Sequence, residues 1–147
     1  MRRYLLIVPL LVACGGSETP PADSAAAAAP PMLTEADVAG TWAGNFMAEG
    51  SDSVIATWTD MCSGGTCRLV VSAAPNDTVV STYTIAGDSL MYSMAAYKDP
   101  MAGGAMVTDA GVARISGNQI TGNGMIRLAD RPDSVVMRYR FTGTKQP

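Results

Sequence analysis

From Gly40 onward, apolar residues recur at every second position in short runs, the period of strands with one buried face. Trp42 and Phe46 share a face through Gly44, and Val54, Ala56 and Trp58 do the same in the next run. Leu69 and Val71 follow, then Val79, Ser81, Tyr83 and Ile85, then Leu90, Tyr92 and Met94. A less regular segment from Met106 to Ile115 precedes Ile120, Ile126 and Leu128. The final run alternates most clearly: Val135, Met137, Tyr139 and Phe141 lie on one face, with Arg138, Arg140 and Thr142 on the other. The pattern predicts an all-β domain of about eight strands.

Turn chemistry separates these runs at hairpin spacing. Ile85-Ala86-Gly87-Asp88-Ser89-Leu90 and Ile115-Ser116-Gly117-Asn118-Gln119-Ile120 repeat one arrangement, in which Gly followed by Asp or Asn suits a two-residue loop. Pro75-Asn76-Asp77, Asp99-Pro100 and Arg131-Pro132-Asp133 mark further turns. Short strands without intervening helices point to a barrel or a sandwich, and nearest-neighbour hairpins favour an antiparallel up-and-down barrel, which leaves no open sheet edge. Gly111, Gly122 and Gly124 fit strands that bend at a barrel corner. The Gly-rich stretch from Lys98 to Ala105 reads as a flexible flap over one mouth.

Before the strands, Thr34 with Asp37 approximates a capping box and Gly40 ends the turn, so one or two turns of helix fit residues 34–39. Residues 15–31 are rich in Gly, Ser, Pro and Ala, a composition suited to a disordered tether. Its five-alanine run falls well short of the roughly 12 to 15 residues at which isolated helices become marginal.

The chain starts with Arg2, Arg3 and a short apolar run to Ala13, the build of a signal peptide. That run is about half of the roughly 20 residues a spanning helix needs. Leu11-Val12-Ala13-Cys14 closely resembles the lipobox of bacterial lipoproteins. The resemblance implies cleavage before Cys14, a diacylglycerol on its sulfur and an acylated amino terminus. Gly15 rather than Asp follows Cys14, which by the same resemblance implies the outer membrane, facing the periplasm. The expected organisation is therefore a signal peptide over residues 1–13, a lipidated Cys14 with its linker to residue 31, and a domain over residues 32–147.

Cleavage removes Arg2 and Arg3, so 10 basic residues become 8 against 13 acidic, and the net charge moves from −3 to −5. Nucleic-acid binding rests on Lys and Arg neutralising phosphates, so none is expected. The membrane is met through the acyl chains of Cys14.

A short helical turn leading into Gly40-Thr41-Trp42, then an eight-stranded meander ending in a strand with arginines, resembles the lipocalin pattern. The resemblance covers roughly residues 34–145 and implies a lipocalin-like barrel in which Trp42 closes one end beneath Arg138 or Arg140. The family's T-D-Y element is absent, since Ala110 follows Thr108-Asp109. Trp42 also reads simply as a core aromatic.

Cys62 and Cys67 flank Ser63-Gly64-Gly65-Thr66, a hairpin tip, and an exported chain makes a disulfide their expected state. No metal site or cofactor is expected, because the chain has no histidine and no further free cysteine. The absence of histidine also removes a Ser-His relay, and the acids read mostly as turn or strand-end residues, so no catalytic site is expected.

Two functions follow. In one, a small apolar ligand occupies the barrel against Tyr83, Tyr92, Met94, Met137 and Tyr139, residues with adaptable or amphipathic side chains. In the other, the barrel is solid and meets an envelope protein through its surface, with Met125 and Val136 facing outward. Eight strands enclose a space that side chains just fill, or that holds one small ligand.

Overall fold

A computed structural model describes residues 32–147; the signal peptide, Cys14 and the linker of the sequence reading lie outside the described residues. A single helical turn, α1 (Glu35–Val38), precedes β1 (Gly40–Ala48), β2 (Val54–Ser63), β3 (Thr66–Val71), β4 (Ala74–Ala86), β5 (Ser89–Asp99), β6 (Ala105–Ser116), β7 (Gln119–Leu128) and β8 (Val135–Lys145). Each strand pairs antiparallel with the next, and β8 returns to β1, closing an eight-stranded up-and-down barrel. The expected fold class holds, including the short helical turn. Asp37 accepts hydrogen bonds from the Thr34 backbone N–H (2.9 Å) and hydroxyl (2.6 Å) at its start.

The two repeated hairpins form as read: Ala86 pairs with Ser89 and Ser116 with Gln119, each around a two-residue loop. Gly87 (φ 65°) and Gly117 (φ 60°) take the positive φ that such loops require. Pro75-Asn76-Asp77 does not end a strand. Residues 75–78 form an exposed excursion within β4, between the Val71–Ala74 and Leu69–Val79 pairs, where the missing proline N–H costs the ladder nothing.

The period of two becomes inside and outside. Trp42, Phe46, Ala56, Trp58, Leu69, Leu90, Met94, Val107, Ala113, Ile120, Ile126, Tyr139 and Phe141 form one buried cluster within the barrel. Several inward positions are glycines, for a reason other than the expected corner bends. A Cβ on Gly122 would meet the Phe141 ring, and one on Gly124 or Gly111 would meet Tyr92, with Tyr139 also against Gly124. These glycines make room for aromatic rings, so a crowded interior is filled by alternating the largest and smallest side chains. At the seam between β1 and β8 the constraint is backbone: a Cβ on Gly44 would meet the Thr142 carbonyl and the Gly143 Cα.

The disulfide Cys62–Cys67 joins directly paired residues, Cα–Cα 4.0 Å, with both side chains turned inward. Its ring of six residues is small, so the chain-entropy treatment assigns it only about 2 kcal/mol. Reduction is expected to lower the denaturation midpoint modestly while circular dichroism still reports the barrel; complete unfolding on reduction would contradict this.

Candidate functional site

One end of the barrel is closed by α1. The Leu33 N–H donates to the Gly87 carbonyl (2.9 Å), and Glu35 Oε1 accepts from the Gly64 N–H (2.8 Å) and the Tyr83 hydroxyl (2.5 Å). Trp42, 1% exposed, donates its indole N–H to the Val38 carbonyl (2.8 Å). Trp42 therefore sits where the sequence reading put it, but the expected arginine does not cover it. Lys145 lies over the Trp42 ring, Nζ 5.4 Å from its centroid, and donates to the carbonyls of Ala36 (3.2 Å) and Asp37 (3.1 Å). Parity is the reason: Lys145 shares the inward register of Tyr139 and Phe141, whereas Arg138 and Arg140 point outward. Arg138 is exposed, and Arg140 donates to the Ser51 carbonyl (2.8 Å) and pairs with Asp52.

At the opposite end the loop between β5 and β6 is held in place. The stretch expected to form a flap has Lys98, Asp99 and Ala105 within strands. Asp99, 1% exposed, accepts from the Met101 N–H through Oδ1 (2.7 Å) and from the Gly104 N–H through its carbonyl (2.8 Å). A buried carboxylate thus ties down a loop that glycine content alone marked as loose.

Between the two ends lies an interior cavity of about 60 Å³. Trp42, Phe46, Trp58, Met94 and Phe141 supply its apolar walls, while Asp60, Ser81 and the tyrosines Tyr92 and Tyr139 bring polar groups. Tyr92, Met94 and Tyr139 thus meet where the sequence reading assembled them. Tyr83 is buried but engaged with Glu35, and does not line this cavity. Met137 lines a separate void of about 20 Å³ beside Tyr97 and Asp109. The rings pack edge to face, with Phe46 and Tyr139 centroids 5.1 Å apart and Trp58 and Phe141 5.9 Å apart. Little of the wall is free to rearrange.

The electrostatics of the interior were not anticipated. Asp60, Asp99 and Asp109 all face inward, although the acids had read as turn and strand-end residues. None of the described Lys and Arg residues is buried with them. Tyr139 donates to Asp109 Oδ2 (2.6 Å) and shares a hydrogen bond with the Tyr92 hydroxyl (2.7 Å), a chain running through the core. Asp60 Oδ1, Asp99 Oδ2, Asp109 Oδ1 and the Trp58 indole N–H have no hydrogen-bond partner. Burial pushes the Asp60 carboxyl up to about 7, against a small opposing effect from the Met61 backbone. Burial likewise raises Asp109 to about 6, the Tyr139 hydroxyl pulling the other way. The Tyr92 and Tyr139 hydroxyls are raised by burial too and stay protonated donors.

The signal for these acids was legible in parity. Asp60 lies two residues from Trp58 and from Cys62, and Asp109 two from Val107 and Gly111, so strand alternation alone turns both inward. Although Asp60, Cys62 and Cys67 cluster, the cysteines are spent in the disulfide and cannot ligate a metal.

No known protein family, curated protein or solved structure matches this chain.

On the outside, β4 to β8 carry a groove of about 690 Å³. Met91, Val112 and Met125 form its apolar part, and Arg127, Arg138 and Glu49 its charged part. Met125 faces this groove as expected of an outward position, and Val136 is exposed nearby on β8.

Proposed function

We propose that this chain is a lipid-anchored, non-catalytic protein of the cell envelope whose barrel takes up one small molecule between Tyr92, Met94 and Tyr139. The observation that carries the ligand reading is the interior cavity, larger than a single water requires yet walled chiefly by aromatic and aliphatic side chains. Its volume, about 60 Å³, limits the occupant to a few heavy atoms, since an interior void that takes benzene measures ~150 Å³. A cavity of this size has no room for a long-chain lipid.

Anchoring is assigned to Cys14 and not to the barrel. The aromatic and most large aliphatic side chains are packed inside, while the outer face mixes Thr57, Thr59, Thr82, Thr84, Arg138 and Arg140 with scattered apolar residues such as Met61, Val80 and Met91, unlike the continuous apolar outer band of a barrel that spans a bilayer. Among the described residues no helix is long and apolar enough to cross a membrane. The disulfide is compatible with an oxidising compartment, and the lipobox resemblance favours the periplasmic face of the outer membrane. Cys14→Ala is expected to abolish lipid labelling and release the domain from membranes; unchanged retention would remove the anchor from the account. Met94→Trp, which fills the cavity, is expected to abolish the thermal shift produced by small apolar solutes, and an undiminished shift would reject interior binding.

A second reading rests on the outer groove, whose methionines and arginines suit a protein partner in the envelope. Under that reading Met125→Arg would eliminate a stoichiometric protein complex and leave solute uptake intact.

A further inference from the structure

The interior cavity has one feature that a purely apolar ligand would leave unused. Asp60 projects from the middle of β2 into a space bordered by Trp42, Phe46, Trp58, Tyr92 and Phe141, and its Oδ1 has no hydrogen-bond partner. The cavity lining contains no Lys or Arg, the chain has no histidine, and no described basic side chain is buried. A carboxylate in such surroundings has no basic side chain beside it to balance its charge, and an unpaired charge removed from bulk solvent is costly. Aromatic rings border the cavity, and such rings attract cations through their electron-rich faces and do nothing for anions.

We propose that the cavity beside Asp60 is a site for a small organic ammonium ion of about the size of methylammonium, held by the Asp60 carboxylate and the faces of the surrounding rings. The proposal rests on the interior-ligand reading given above and names the chemical class of the occupant. Four properties of the site meet in that class. The ammonium N–H groups supply the donors that Asp60 lacks, and the buried Ser81 hydroxyl, also on the lining, offers a second acceptor. The positive charge neutralises the only carboxyl that borders this cavity. The methyl group contacts Met94 and the rings, as a water molecule, wanting two to four polar partners, does not. The size agrees as well: about 60 Å³ exceeds the ~10–15 Å³ needed for one water and falls well below the space a benzene ring takes. Alkali metal ions are disfavoured, because the lining offers few oxygen ligands and the neighbouring cysteines are bonded to each other.

The test is a titration of the full chain, in detergent and at mildly alkaline pH, with methylammonium chloride, using sodium chloride at equal ionic strength as the control. Indole NMR signals of Trp42 and Trp58 report occupancy, and xenon uptake by the same protein reports whether the cavity opens at all. The expected result is a saturable shift with methylammonium, absent with sodium, and weakened at least tenfold in Asp60→Asn. Should Asp60→Asn not fold, as judged by near-ultraviolet circular dichroism, Met94→Trp serves in its place and must lose the methylammonium response. Xenon entry without a saturable methylammonium shift overturns the cation assignment alone, as does unweakened binding in Asp60→Asn or an undiminished response in Met94→Trp. Exclusion of both probes overturns the interior-ligand reading with it.

Discussion

Gly44→Ala is expected to destabilise the barrel by about 3 kcal/mol or more, at the upper end of what overpacking costs. The added methyl group would meet the Thr142 carbonyl carbon at 2.8 Å and the Gly143 Cα at 2.6 Å. Both are backbone, so no rotamer change relieves the contact, and β8 must move away from β1 along the row that closes the sheet. Gly122→Ala provides the comparison, since its methyl group meets the Phe141 ring and the Val112 carbonyl (2.6 Å). Part of that crowding can be relieved by a side-chain shift, and a smaller loss is expected. Denaturant midpoints for the two variants check the order; a Gly44→Ala protein as stable as the parent would mean that the β1–β8 seam is not closed as described.

The second large effect is on the pH dependence of stability. Asp60 and Asp109 have folded-state values near 7 and 6, above the 3.8 of an unperturbed carboxyl. The folded protein therefore binds more protons than the unfolded chain across this interval, and stability falls as pH rises. The contribution is intact below about pH 4 and is lost progressively as pH climbs through about 6 and then about 7. At 1.36 kcal/mol per pH unit, the full loss is about 4 kcal/mol from Asp60 and about 3 kcal/mol from Asp109, as orders of magnitude. Asp37, fully exposed and lowered by its hydrogen bonds from Thr34, acts in the opposite sense at the acid end. Thermal midpoints of the unliganded domain should accordingly fall between about pH 4 and about pH 7, and the paired change Asp60→Asn with Asp109→Asn should flatten the profile. A midpoint that rises over that range would show these carboxyls to be solvated or paired.

The fold was legible because two independent signals agreed. Alternation in β8 fixed which side of the last strand faces in, and the Gly87-Asp88 and Gly117-Asn118 loops fixed nearest-neighbour pairing. What escaped had physical causes that one-dimensional patterns do not carry. Gly111, Gly122 and Gly124 read as bends at a barrel corner, yet each lies against a ring from another strand, a relation that exists only once the barrel closes. Pro75 looked like a turn because the strand that tolerates it has local freedom from its partner. The lipocalin resemblance implies an arginine over Trp42, while register puts Lys145 opposite it. The inward direction of Asp60 and Asp109 is carried by strand parity alone, against the general preference of acids for solvent.

The measurement that bears most directly on the interior-ligand claim is a crystal structure of the domain under xenon pressure, compared with the Met94→Trp variant. The account predicts xenon density enclosed by Met94, Tyr92 and Phe141 beside Asp60, and none in the variant. An unoccupied interior in both proteins, with xenon found only in the outer groove along β4 to β8, would contradict it.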